Sequence, residues 1–349
     1  MKTYLILQHP GHNRVYYNLS GPLALAELKV ASNRLTVASD SIEIVTIENI
    51  RYLSLATEDE LTELDLELLS RLSFVFALFE LEKIDERSFL KPILKKDYEY
   101  VDSKISSLLK YAGKTNELFT KMMINVGLLS SNFNFEDNIQ LLDPVAGKGT
   151  TLYEGSIYGF NVTGIEIDPK STQAIQLFFK KYLETERYKY STEKKQVFGK
   201  SKGEATYTDQ FEYAKNKIEF KSDHTRKSLN IITGSTLNTV DYVKNSYFNL
   251  IVGDLPYGVA HGNSLDKKSA SITRNPAELL EASLPGWFKV LKKGGVVVIA
   301  WNAFVISRNR LSDLFVQHGF KVLTKSPYNE FEHMVDRSIK RDIVVAKKI

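Results

Sequence analysis

From about Gly113 onward the sequence alternates short apolar runs with helix-length stretches, and this alternation limits what the chain can fold into. The runs fall at 140–142, 162–167, 229–233, 248–253 and 296–300. Strands separated by helices form βαβ units, which build a parallel sheet covered on both faces. Two last runs, 320–324 and 341–347, have no helix-length apolar stretch between them, so they are expected to pair antiparallel at the sheet edge. Residues 113–349 therefore read as one α/β domain with a mostly parallel sheet.

The start of the chain is a smaller α/β domain, residues 1–100. Strands are expected at 3–7, 42–47 and 74–81 and helices at 22–31 and 58–72. Pro22 suits the first turn of the former helix, and Leu61, Leu64, Leu68, Leu69 and Leu72 make an apolar stripe on the latter. Residues 83–112 are more polar, contain Pro92 and read as a linker. Between Ile167 and Leu229 lie about 60 residues, more than one helix and its connections need. An insertion is expected at about 185–228; over 180–227 it holds 13 basic and 8 acidic residues, interleaved with Tyr182, Tyr188, Tyr190, Tyr207 and Tyr213. Basic and aromatic residues together suit a nucleic-acid surface, and they suit a solvated helical insertion equally well.

The 349 residues contain no cysteine, which removes disulfides, thiolate metal ligands and every mechanism built on an enzyme thiolate. The six His residues lack ligand spacing, and no metal is expected. Residues 1–8 show no leader-like apolar stretch, so the expectation is a cytosolic protein without a membrane span. The net charge of +4 is uneven: residues 1–100 hold 11 Lys and Arg against 16 Asp and Glu. The basic remainder suits an anionic partner.

Chemistry concentrates at the ends of three strands. Asp143-Pro144-Val145-Ala146-Gly147-Lys148-Gly149-Thr150-Thr151 follows the first parallel strand and opens a helix. A Gly-rich turn there lets a ligand approach backbone N–H groups. It is not a phosphate loop, because Gly149 stands where Ser or Thr is required after the lysine. Asp143 suits a ligand with a cationic amino-acid end. Glu166 ends the second strand about 20 residues later, where ribose hydroxyls are gripped in nucleoside-binding α/β folds, whereas Asp168 before Pro169 suits a helix cap. Asp254-Leu255-Pro256-Tyr257-Gly258 ends the fourth strand. There Asp254 and the Pro256 carbonyl can accept both hydrogens of an amine while Tyr257 stacks on the ring that bears it.

With these residues, the segment 113–349 resembles class I S-adenosylmethionine-dependent amino-methyltransferases, most closely the tRNA guanosine-N2 methyltransferase family. That family carries Asp-Pro-x-x-Gly-x-Gly-Thr, an acidic ribose ligand and Asp-x-Pro-Tyr-Gly, matching Asp143–Thr150, Glu166 and Asp254–Gly258. The resemblance implies a seven-stranded, mostly parallel sheet with a C-terminal antiparallel pair, and S-adenosylmethionine as cofactor. It implies a cofactor site of Thr115, Asp143, Ala146, Gly147, Gly149, Thr150, Glu166, Ser235 and Asp254, and a catalytic set of Asp254, Pro256 and Tyr257. The implied partner is nucleic acid, foremost tRNA, and the implied activity is methylation of an exocyclic base amine, foremost guanine N2. His333, Arg337 and Arg341 echo the family's late pattern. Two departures stand out: Ser235 replaces the usual acidic residue near adenine, and the N-terminal domain is short and acidic. The same motifs serve adenine-N6 or cytosine-N4 methylation of DNA, rRNA methylation and methylation of a protein glutamine, and a non-catalytic module could keep the fold.

Overall fold

The computed structural model describes residues 1–10, 14–85, 87–111, 114–197, 206–256 and 275–349, with only the backbone for 14–19. It divides into two compact units: residues 1–98 with 324–341, and residues 99–323 with 342–349.

The first unit runs β1 (Lys2–Gln8), α1 (Arg14–Ser32), β2 (Ser39–Ile47), β3 (Ile50–Thr57), α2 (Glu63–Arg71), β4 (Val75–Ile84) and β5 (Arg87–Ile93). Its antiparallel sheet has the order β2-β3-β1-β4-β5. The first six elements give the split βαββαβ arrangement, to which β5 adds an edge. Three features depart from the sequence reading. α1 begins at Arg14, so Pro22 lies inside the helix and not in its first turn. β3 escaped notice altogether. The expected linker holds β5, paired along β4, and a short helix, α3 (Lys104–Leu108). In this unit the buried Glu27 carboxylate accepts from the backbone N–H and hydroxyl of Ser73, at 3.0 and 2.5 Å, fixing the turn before β4.

The second unit contains α4 (Glu117–Ser130), β6 (Gln140–Asp143), α5 (Thr150–Ile157), β7 (Asn161–Glu166), α6 (Pro169–Thr185), β8 (Lys189–Val197), β9 (Thr206–Ala214), β10 (Lys227–Thr233), β11 (Phe248–Asp254), helix Pro276–Val290, β12 (Leu291–Asn302), helix Arg308–Gln317 and β13 (Lys321–Val322). β14 (His333–Met334) lies in the part of the chain that belongs to the first unit, and β15 (Lys340–Lys347) ends in the second.

The sheet order is β13-β15-β12-β11-β6-β7-β10-β9-β8. β10, β7, β6, β11 and β12 are parallel neighbours, and β13 pairs antiparallel with β15. This is the expected α/β class: a Rossmann-like sheet in which the seven strands from β10 to β13 are mostly parallel and end in an antiparallel pair, β9 and β8 extend it to nine in this order, and a smaller α/β unit is present as well. From β6 the chain winds outward through β7 to β10, then returns to β11 and winds the other way. Strand direction of travel thus reverses between β6 and β11, which opens a crevice at the carboxyl ends of these two strands. Where a helical insertion was one expectation, the described residues instead form an antiparallel strand pair: β8 and β9 extend the β10 edge.

Side-chain alternation explains the two covered faces. Ile251, Val297 and Ile299 join Leu280, Leu284, Trp287, Leu311, Leu314 and Phe315 of the two later helices in one buried core. On the opposite face α4 and α5 lie close enough to the strands that glycine is required. A Cβ on Gly155 would stand 2.7 Å from both Leu141 and Val162. Gly155→Ala is expected to push α5 off the sheet at a cost of about 1–3 kcal/mol, measurable as a lowered midpoint in urea unfolding; an unchanged midpoint would refute this packing.

Candidate functional site

The residues singled out from sequence gather at the carboxyl ends of β6, β7, β10 and β11, around the crevice. Asp143 is the last residue of β6 and is buried, with Oδ1 accepting the Val145 N–H at 3.0 Å. Ala146 N–H bonds the carbonyl of Ile165 at 2.9 Å, and Gly149 N–H bonds that of Ala146 at 2.8 Å, so the turn is tight. Gly147 has φ +52°, a conformation that favours glycine, and a Cβ there would meet nothing within 4 Å. The turn therefore presents open backbone. Gly149, at φ +88°, caps α5, and Thr150 begins it.

Glu166 ties this edge together. Its Oε2 accepts the Gly147 N–H at 2.8 Å, its Oε1 accepts the Asp168 N–H at 2.9 Å, and its backbone carbonyl accepts the Gly234 N–H at 2.9 Å. Burial pushes the Glu166 carboxyl up from its ordinary range, and the N–H groups of Asp168 and Gly147 oppose that shift. Asp168 caps α6 by accepting from Lys170 and Ser171 N–H groups. Against the cost of burial, the Ser171 hydroxyl and these N–H bonds hold its carboxyl below the ordinary range.

Ser235 follows β10 and spends its hydroxyl oxygen on the Leu237 N–H at 3.3 Å, capping a single turn, Thr236–Asn238. That turn is held from the core by the buried Trp287, whose Nε1–H donates to Thr236 Oγ1 at 2.9 Å.

Asp254 ends β11, and its Oδ2 accepts the Thr115 hydroxyl at 2.9 Å. Thr115 immediately precedes Asn116, whose side chain caps α4. Two site residues 139 positions apart in sequence are thus bonded directly. Leu255 is buried and its N–H bonds the Ala300 carbonyl at 2.9 Å, carrying the ladder one step past the strand, while Pro256 is exposed. Tyr257 and Gly258 lie outside the described residues, as does Gly113. His333, Arg337 and Arg341 belong to the first unit. There His333 faces Arg341 across the β14–β15 pair.

Two residues of this edge were missed from sequence. Tyr111 donates to or accepts from Thr150 Oγ1 at 3.2 Å, and the Lys148 ammonium sits 4.6 Å from its ring centre, so the stretch before α4 runs over the Gly-rich turn. Ile167, between Glu166 and Asp168, leaves half its surface exposed beside the Glu166 carboxylate. No spacing rule signals either one.

No family model matches the sequence, and no curated protein is significantly similar to it. Solved structures do match. TrmN from Thermus thermophilus is 10% identical, with 100% of both chains covered and a TM-score of 0.45. A putative RNA methyltransferase from Pyrococcus horikoshii is 13% identical over 70% of this chain and 92% of that one, with a TM-score of 0.41. A TehB-like S-adenosylmethionine-dependent methyltransferase from Corynebacterium glutamicum is 14% identical over 61% of this chain and 81% of that one, with a TM-score of 0.34.

Burial pushes two carboxyls of this region up to about 7, Asp143 at the turn and Glu154 within α5. Asp143 is raised further by the charges of Glu166 and Asp254, and the Thr151 hydroxyl and Val145 N–H pull the other way. Between the ordinary carboxylate range and about pH 7 the folded chain holds protons that the unfolded chain has released, so stability falls as pH rises through that window and levels off above it. Glu154→Gln is expected to flatten the decline by on the order of 2 kcal/mol. Melting temperatures of both proteins across that pH range check this, and a native curve that rises with pH would contradict it.

Proposed function

We propose that the second unit is an S-adenosylmethionine-dependent N-methyltransferase acting on an exocyclic amine of a nucleic-acid base, with guanine N2 in tRNA the leading substrate. The observation that carries this reading is the Thr115–Asp254 hydrogen bond at the end of β11, next to β6, whose following turn is held through Gly147 to Glu166 at the end of β7.

The residues fit the cofactor. Gly147 offers backbone with open space above it. A carboxylate has about four acceptor sites, so Glu166 can hold two N–H groups and still receive ribose hydroxyls. The acidic edge formed by Asp143, Glu166 and Asp254 suits a ligand with cationic sulfonium and ammonium groups. Ile167 supplies an apolar surface for a purine, and Ser235 supplies a hydroxyl. Thr115 and Thr150 complete the set, with Ala146 and Gly149 shaping the turn. When bound, S-adenosylmethionine supplies an electrophilic methyl group.

The chain's own residues do the rest. Asp254, oriented by Thr115, and the Pro256 carbonyl accept the two amine hydrogens, and Tyr257 stacks on the base. This would orient the nitrogen lone pair toward the cofactor side of the crevice, and Asp254 is placed to take the proton that the amine gives up on methylation. No covalent enzyme intermediate is required, consistent with a chain that has no cysteine.

Radiolabelled cofactor incubated with tRNA, rRNA, DNA and protein fractions tests the reading: label is expected in tRNA, and label confined to DNA or to protein would reject the substrate assignment. Asp254→Ala is expected to lower transfer at least a hundredfold while calorimetry still detects cofactor. Glu166→Ala should weaken cofactor binding itself by tenfold or more. Failure of the native protein to bind S-adenosylmethionine would remove the proposal.

A further inference from the structure

Asp143, Glu166 and Asp254 end three adjacent strands, so the edge that faces a ligand is acidic. Most lysines near it already answer an acid. Lys114 pairs with Glu117 at 3.3 Å, and Lys170 lies beside the Asp168 carboxylate, whose ionised form it favours. Lys148 stands apart. It is exposed between Gly147 and Gly149 in the turn after β6, and its ammonium makes no ion pair or hydrogen bond among the described residues. It rests instead over the ring of Tyr111, 4.6 Å from the centre.

That ring is itself held in place. The Tyr111 hydroxyl lies 3.2 Å from Thr150 Oγ1, at the start of α5, so the ring is fixed over the turn that carries Lys148. A cation over an aromatic face at an exposed site is attracted only weakly, and it keeps both its charge and its N–H donors. The contact therefore positions the ammonium without neutralising it. An arriving carboxylate offers a charge-assisted hydrogen bond, which is stronger, so the ammonium can leave the ring for it.

The proposed cofactor has two unlike poles. Its sulfonium and ammonium groups suit the three carboxyls, but its own carboxylate is repelled by them and needs a cation. The Gly-rich turn offers such a cation beside open backbone, since a Cβ on Gly147 would meet nothing within 4 Å. We propose that Lys148, held ready on the Tyr111 ring, recognises the carboxylate at the amino-acid end of S-adenosylmethionine and so makes the site select ligands that carry it. This rests on the S-adenosylmethionine reading and deepens it. Lys148 is a specificity-determining residue and Tyr111 a positioning residue, and neither takes part in methyl transfer.

Calorimetry with two probes tests this: S-adenosylmethionine and its decarboxylated form, which keeps the sulfonium and the amine and lacks only the carboxylate. The native protein is expected to bind the former about tenfold more tightly. Lys148→Met should lose about tenfold for S-adenosylmethionine and stay within twofold for the decarboxylated probe, which also shows that it folds. Lys148→Arg should keep the preference. Tyr111→Leu should narrow it by about two- to fivefold, and an unchanged preference there would overturn the positioning role of the ring. Native protein that binds both probes alike, or Lys148→Met with the native preference, would overturn the inference and leave the cofactor reading standing. Equal loss of both probes in Lys148→Met would overturn it in the same way, because the lysine would then shape the turn and not read the carboxylate. Native protein that binds neither probe would overturn the cofactor reading and this inference together.

Discussion

The carboxylate of Glu166 is the acceptor on which the whole carboxyl edge depends. Two loops hang from its carboxylate, the Gly-rich turn through Gly147 and the entry to α6 through Asp168, while the β10 loop bonds the backbone carbonyl of the same residue through Gly234. Hydrogen bonds to a charged acceptor contribute about 1.5–3 kcal/mol each, enough to fix short loops whose own apolar contacts are few. The same carboxylate is the proposed ribose ligand, so cradle shape and cofactor affinity are coupled through one side chain.

The loops on either side are held from the core by a different device. Trp287 and Trp301 are fully buried, yet each ends in a polar N–H that must find a partner. Trp287 finds it in the turn after β10 and Trp301 in the turn after β12. Large rings that contribute to the core thereby fix loop positions at the edge.

Parts of this arrangement are legible in sequence because they are matters of burial or spacing. β6, β7, β10, β11 and β12 are covered on both faces and read as continuous apolar runs. The Gly-rich turn and the acidic strand end announce themselves because close backbone approach needs glycine and hydroxyl binding needs a carboxylate. β3 does not, since its hairpin turns on Glu48 and Asn49 at φ +47° and +64°, where an Asn-Gly pair would have signalled the turn. β5 and β8 are exposed edge strands, so neither carries an apolar alternation. Pro92 on β5 further disguised a strand as a linker, although proline is tolerated at an edge. The Thr115–Asp254 bond and the Tyr111–Thr150 contact join residues far apart in sequence, and only the fold reveals them.

Charge and topology act on the same crevice. Asp143, Glu166 and Asp254 lie close enough that the charges of the last two raise the proton affinity of the first. Burial alone would favour neutral carboxyls. A cation entering this edge reverses that balance at Asp143: it favours the ionised form, so binding and proton release are linked, and affinity for a cationic ligand rises with pH through about 7 as Asp143 ionises. A neutral ligand of the same shape lacks this linkage. The reversal of winding between β6 and β11 brings these three carboxyls, from β6, β7 and β11, to adjacent strand ends although they are far apart in sequence.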